Sequence, residues 1–219
     1  MNGYLRIKIV GWFFLVLLAG CNPMNAGSER HDTDSTTTDG DPVYRKNPHP
    51  TQAYRITMII EDAPGPFGHV SGMAFYDMAN RDDCTPIDPI LGMSTKSKED
   101  GISIQFKKVD ETKFVGTIYA DGMVDANYYG KGVCNFELSG VGITLRATGK
   151  REETRFQPGL FKKEIYESIP NVTYFWSGGY PKDEMDNYPD SGRSDPAQFK
   201  EELRNQLFKV TVVSTKEAP

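Results

Sequence analysis

The sequence predicts a mainly β fold, an antiparallel sandwich or barrel, with a C-terminal helical extension that makes the class α+β. Three observations lead there. Short runs alternate apolar and polar residues, as strands with one buried face do. Turns rich in Gly and Pro separate them. Beyond Lys150 the apolar spacing changes in two places from the strand period to the helix period.

Taken in order, Tyr54, Ile56, Met58 and Ile60 alternate with Arg55, Thr57 and Glu61. Ala63 to Gly68 is punctuated by Pro and Gly and reads as a turn. A second strand covers Val70 to Met78, followed by a long polar loop from Asn80 to Gly101. Ile102, Ile104 and Phe106 alternate again, and Asp110-Glu111 turns the chain into Phe114 to Ala120. After the loop Asp121 to Gly132, Val133 to Leu138 places Cys134, Phe136 and Leu138 on one face. Ser139-Gly140 then turns into Val141, Ile143, Leu145 and Ala147.

From Leu160 to Ile169, Phe161, Ile165 and Ile169 lie at helical spacing between Pro158-Gly159 and Pro170. Val172 to Trp176 reads as a strand, and Gly178 to Asp195 as an acidic surface loop. A second helix is expected from Pro196 to Phe208, with Asp195 at the N-cap, Pro196 in the first position and Gln198 in the third. Its apolar stripe would be Phe199, Leu203 and Leu207, and Val210 to Val213 would add an edge strand.

The first 20 residues have another organisation. Arg6 and Lys8 precede an apolar run from Ile9 to Leu18, and small residues follow. Ten apolar residues are too few for a bilayer-spanning helix, which needs about 20. The run ends in Leu18-Ala19-Gly20-Cys21, which resembles the lipobox of bacterial lipoproteins. That resemblance implies cleavage before Cys21, a diacylglycerol thioether on its sulfur and acylation of the new amino group. Asn22 stands where the family's usual inner-membrane retention signal is Asp, which implies an outer membrane location facing the periplasm.

The expected divisions are therefore a signal peptide at 1–20, a lipidated cysteine and flexible tether at 21–52, a β domain at 53–149 and an α/β extension at 150–219 packed on it. The tether has Ser, Thr, Gly and Pro and hardly any large apolar residue, so it cannot bury enough surface to fold. As a flexible coil, Asn22 to Gln52 would span roughly 30 Å.

Cleavage would remove two cations and no acid, leaving 23 Lys and Arg against 30 Asp and Glu, a net of −7. Such a chain is a poor ligand for nucleic acid or anionic lipid, and acyl chains would supply its membrane affinity. With Cys21 consumed, Cys84 and Cys134 remain, and in an exported chain they predict one disulfide. In the chain-entropy view a loop of this length is worth about 4 kcal/mol.

Catalytic and metal motifs are weak. His69 and Ser71 share one face of an expected strand, but no G-x-S-x-G elbow or H-E-x-x-H helix accompanies them. The loop Asp121 to Gly130 offers oxygen ligands yet breaks the EF-hand pattern, with Tyr129 and Phe136 where acids would stand. No catalytic, metal or cofactor residue is assigned. What remains is a surface: Tyr180, Asp183, Glu184, Asp186, Tyr188 and Asp190 mix aromatic contact area with negative charge. Signal, tether and acidic domain together are similar to lipoprotein immunity proteins, which protect Gram-negative bacteria from effectors delivered by rivals. That resemblance implies a protein partner with a basic surface, occluded by the acidic loops. An envelope-assembly component and a small periplasmic hydrolase are the alternatives.

Overall fold

The computed structural model describes residues 42–218, so the signal segment, the lipobox with Cys21 and the tether as far as Asp41 lie outside the described residues. Among the described residues no helix is long and apolar enough to cross a membrane. The described residues are mainly β, in two sheets, and neither sheet closes into a barrel.

The strands are β1 (Ala53–Glu61), β2 (His69–Met78), β3 (Glu99–Ile104), β4 (Lys107–Lys108), β5 (Lys113–Tyr119) and β6 (Phe136–Arg146). They continue with β7 (Arg155–Phe156), β8 (Gly159–Phe161), β9 (Asn171–Trp176), β10 (Pro189–Asp190) and β11 (Leu207–Lys216). Two short helices, α1 (Arg81–Cys84) and α2 (Lys162–Glu167), interrupt them. The first sheet runs β4-β5-β1-β11-β9 and the second β10-β7-β6-β2-β3, with β8 also on β6.

The alternation read in β1 turns Tyr54, Ile56, Met58 and Ile60 into the core, where Met58 lies between Phe114 of β5 and Val212 of β11. Ala74 and Tyr76 of β2 and Leu138, Val141, Ile143 and Leu145 of β6 come from the other sheet and join the same cluster. Fully burying such side chains stabilises by about 1.5–3 kcal/mol each. The chain passes between sheets through Gln105 and Phe106, where a Cβ on Gly72 would stand 2.6 Å from the Phe106 ring.

Several expectations are corrected. Ser139-Gly140 is not a turn: β6 runs straight through, and Ser139 is the extra residue of a bulge opposite Phe75 and Tyr76. The bulge shifts the inward phase by one residue, which in sequence mimics two strands. The helix at Leu160–Ile169 shrinks to the six residues of α2, whose Ile165 is buried while Phe161 and Ile169 are exposed. Residues 42–52 are not tether, because Tyr44 packs on Tyr128 and Phe136, and Val124 N–H donates to the Arg45 carbonyl.

The helix expected over Pro196–Phe208 is replaced by two short 3-10 turns and the start of β11, so the C-terminal helical extension is not found among the described residues. Asp195 does cap the first turn, its carboxylate accepting from Ala197 N at 2.8 Å. Phe199 and Lys200 are then extended, and Arg204 donates to the Phe199 and Ala197 carbonyls. What wins is β11, with Phe208, Val210, Val212 and Ser214 buried and ladders to both β1 and β9. The expected edge strand is a central one. Residues 150–219 supply β9 and β11 to the first sheet and β7, β8 and β10 to the second.

Candidate interaction surface

The acidic loop is fastened along its length before it reaches solvent. Tyr180 donates its hydroxyl to the Pro66 carbonyl at 2.7 Å and stands edge-on to Phe67, and burial raises its phenol pKa. Asp183 N–H donates to Thr154 Oγ1 at 2.9 Å, and Thr154 N–H to the Pro181 carbonyl at 3.1 Å. Arg146 reaches Asn187 Oδ1 at 2.6 Å, and Arg155 N–H meets the Tyr188 carbonyl at 2.8 Å. Asp190 accepts from Gly192 N at 2.8 Å; burial lifts its carboxyl above the ordinary value, against that N–H and Arg193.

The six residues singled out from sequence therefore divide. Tyr180 and Asp190 are half-buried and hold the loop to the fold, and Asp183 turns back to accept from Glu184 N. Glu184, Asp186 and Tyr188 are exposed, with Met185 between them. Lys182 pairs with Asp186 at 2.6 Å, which raises the lysine pKa and leaves Glu184 as the tip's unneutralised charge among these two acids. The neighbouring aromatics go elsewhere. Phe175 is wholly buried and, with Phe67, Phe156 and Phe208, forms a ring cluster with centroids 5.2 to 5.8 Å apart.

His69 and Ser71 both face outward from β2, opposite Arg146 and Thr144 of β6. Ser71 lies at a groove of about 690 Å³ across the outer face of the second sheet, with Met73, Phe75, Thr144 and Phe161. His69 is not part of that groove, and no ionisable side chain lines it. Among the described residues no hydrogen bond or ion pair joins the His69 imidazole to Ser71 or to a carboxylate, the contact a nucleophile-and-base pair would use.

The Asp121 loop uses its oxygens internally. Asp121 accepts from Thr51 N, Thr51 Oγ1 and Gln52 N at 2.9 to 3.0 Å; burial opposes its charge, yet these donors hold the carboxyl below its ordinary value. Asp125 accepts from Phe136 N and Asn135 Nδ2. Among the described residues no group of three or more His, Cys, Asp or Glu is placed to hold a metal ion.

A feature that strand and helix periods missed is the lobe closed by the Cys84–Cys134 disulfide. Met78 and the two cysteines form a second small core under Tyr44, Tyr128, Tyr129 and Phe136. From it projects a turn. Ile87 bridges to Ser94, Arg81 donates to the Ser94 carbonyl, and Thr85 Oγ1 and Ser94 Oγ are 2.6 Å apart. Asp88 Oδ1 accepts from Ile90 N and Leu91 N, Asp88 N–H donates to the Met93 carbonyl, and Gly92 takes a φ of +66°. At its tip Ile90, Leu91 and Met93 are 91%, 61% and 58% exposed. The loop reads as polar overall, and Ile87, Ile90, Leu91 and Met93 within it follow no strand or helix period.

The chain matches no family model, no curated protein and no solved structure.

Proposed function

We propose that this protein is a lipid-anchored periplasmic lipoprotein, a two-sheet sandwich that binds an incoming or resident protein and acts as an immunity protein by occluding an antibacterial effector. The observation that carries the binding reading is the fastening of the 180–190 loop. Its backbone is tied to Thr154 and Arg155 and its Tyr180 hydroxyl to the Pro66 carbonyl, while Glu184, Met185, Asp186 and Tyr188 are exposed. Such a surface is ordered before contact, so little loop entropy is lost on association. Its negative charge would steer a basic partner. The lipobox supports the anchor, and Asn22 supports the outer membrane.

The test is a competition between sibling strains. A strain lacking the gene should be inhibited on contact by its parent, and the wild-type gene should restore it. Glu184→Lys with Asp186→Lys should not restore protection, although the protein accumulates normally. Cys21→Ser should release or misprocess the protein. A gene-less strain that competes as well as its parent would remove the immunity reading. An envelope permeability defect in that strain grown alone would favour envelope assembly.

A further inference from the structure

We propose that the Ile87–Met93 turn is a membrane-contacting tip that sits in the interfacial layer of a zwitterionic lipid surface, the one to which Cys21 is attached; the identity of that surface rests on the lipoprotein reading. Ile90, Leu91 and Met93 are among the most exposed large apolar side chains of the described residues, and they share one turn. A loop of ordinary construction would carry unsatisfied amides into lipid, where each is costly. Here the Asp88 carboxylate already takes the Ile90 and Leu91 amides, Gly92 N–H donates to the Asp88 carbonyl at 2.8 Å, and Asp88 N–H to the Met93 carbonyl at 3.0 Å.

From Pro89 to Thr95 there is no charged side chain, and Lys96 and Lys98 are the first cations after the tip. The disulfide, Arg81 and Thr85 hold the stem, and the apolar residues beyond it stand exposed. A convex tip of three side chains fits a soft surface. The net negative chain favours zwitterionic over anionic headgroups.

The position of the anchor names the occupant. Tyr44 lies near the start of the described chain, and it belongs to this same lobe. Its hydroxyl donates to the Ser97 carbonyl at 2.7 Å, and its ring packs on Phe136 beside the disulfide. Twenty residues separate Cys21 from Pro42, a reach of at most about 70 Å. The chain from Cys21 therefore joins the fold at the lobe that carries the tip, within reach of the lipid.

The experiment uses the full chain reconstituted in phosphatidylcholine vesicles, with and without brominated acyl chains. Trp12→Phe and Trp176→Phe remove the native indoles, and Leu91→Trp or, as a control, Tyr188→Trp introduces a single reporter. Brominated lipid should quench the Leu91→Trp protein several-fold more than the control, with a blue-shifted emission. Equal quenching, or none, overturns the tip. The mass of the N-terminal peptide reports the anchor separately. Quenching at residue 91 with an unmodified Cys21 keeps the tip and removes the anchor. A diacylated Cys21 without quenching removes the tip and points to an apolar pocket on a protein instead.

Discussion

The hydroxyl of Tyr76 on β2 donates to the carbonyl of Tyr119 at the end of β5, at 2.6 Å, so one side-chain hydrogen bond joins the two sheets. The Tyr76 ring is buried, and that burial pushes its phenol pKa up to about 12. A raised phenol pKa means the folded state prefers the neutral form. Stability is then fully present below the ordinary value of 10.0 and is lost as pH rises through about 12. Tyr76→Phe should cost about 1–2 kcal/mol at pH 7, chiefly from the orphaned Tyr119 carbonyl. It should also flatten the alkaline loss of stability in urea titrations between about pH 10 and 12, and a variant with an unchanged alkaline limb would refute the assignment.

The Cys84–Cys134 bridge spans a sequence separation of 50 residues and closes both the α1 lobe and the Asp121 loop. Cys84→Ser should lower unfolding free energy by about 4 kcal/mol on loop-closure grounds. Reductant should produce a similar loss in the native protein and none in the variant. Free thiols in non-reduced peptides would end the claim.

Asp121 fastens Thr51 and Gln52 to the loop after β5. Its carboxyl is held below the ordinary 3.8, so the charged form stabilises the fold above that value and the contribution is lost as pH falls through it. Asp121→Asn should lower the urea midpoint at pH 7 and change it less than wild type between pH 5 and 3. Equal acid limbs for the two proteins would place the acid sensitivity elsewhere.

What was legible in the sequence follows from which forces leave a period. In β1, β2, β5 and β9 one face is buried, and alternation of Ile56, Met58 and Ile60 or Thr173 and Phe175 reports it directly. Two cysteines left after Cys21, read as a bridged pair, gave Cys84 with Cys134, and the structure has that disulfide. The bulge at Ser139 broke a single strand into two apparent ones because it inverts the phase. At the surface, residue type showed that acids and tyrosines cluster near 180–190. It did not show that Tyr180 and Asp190 are consumed by Pro66 and Gly192, since those partners are main-chain atoms.

The C-terminal strand is where local and long-range preferences conflict most, and it yields the sharpest test. Asp195, Pro196 and the spacing of Phe199, Leu203 and Leu207 all favour a helix locally, yet the chain is extended at Phe199 and Lys200. The ladders of β11 to β1 and β9 outweigh that preference, since a strand between two partners satisfies both sides of its backbone. Phe208 is then a core residue, stacked on Phe175 with centroids 5.3 Å apart, while Leu203 is only half-buried in a 3-10 turn. Phe208→Ala should cost about 3–5 kcal/mol in urea unfolding. Leu203→Ala should cost less than about 1 kcal/mol. A helix with the stripe Phe199, Leu203 and Leu207 on the core predicts a large cost at Leu203 instead, so the ratio of the two losses decides between strand and helix at this end of the chain.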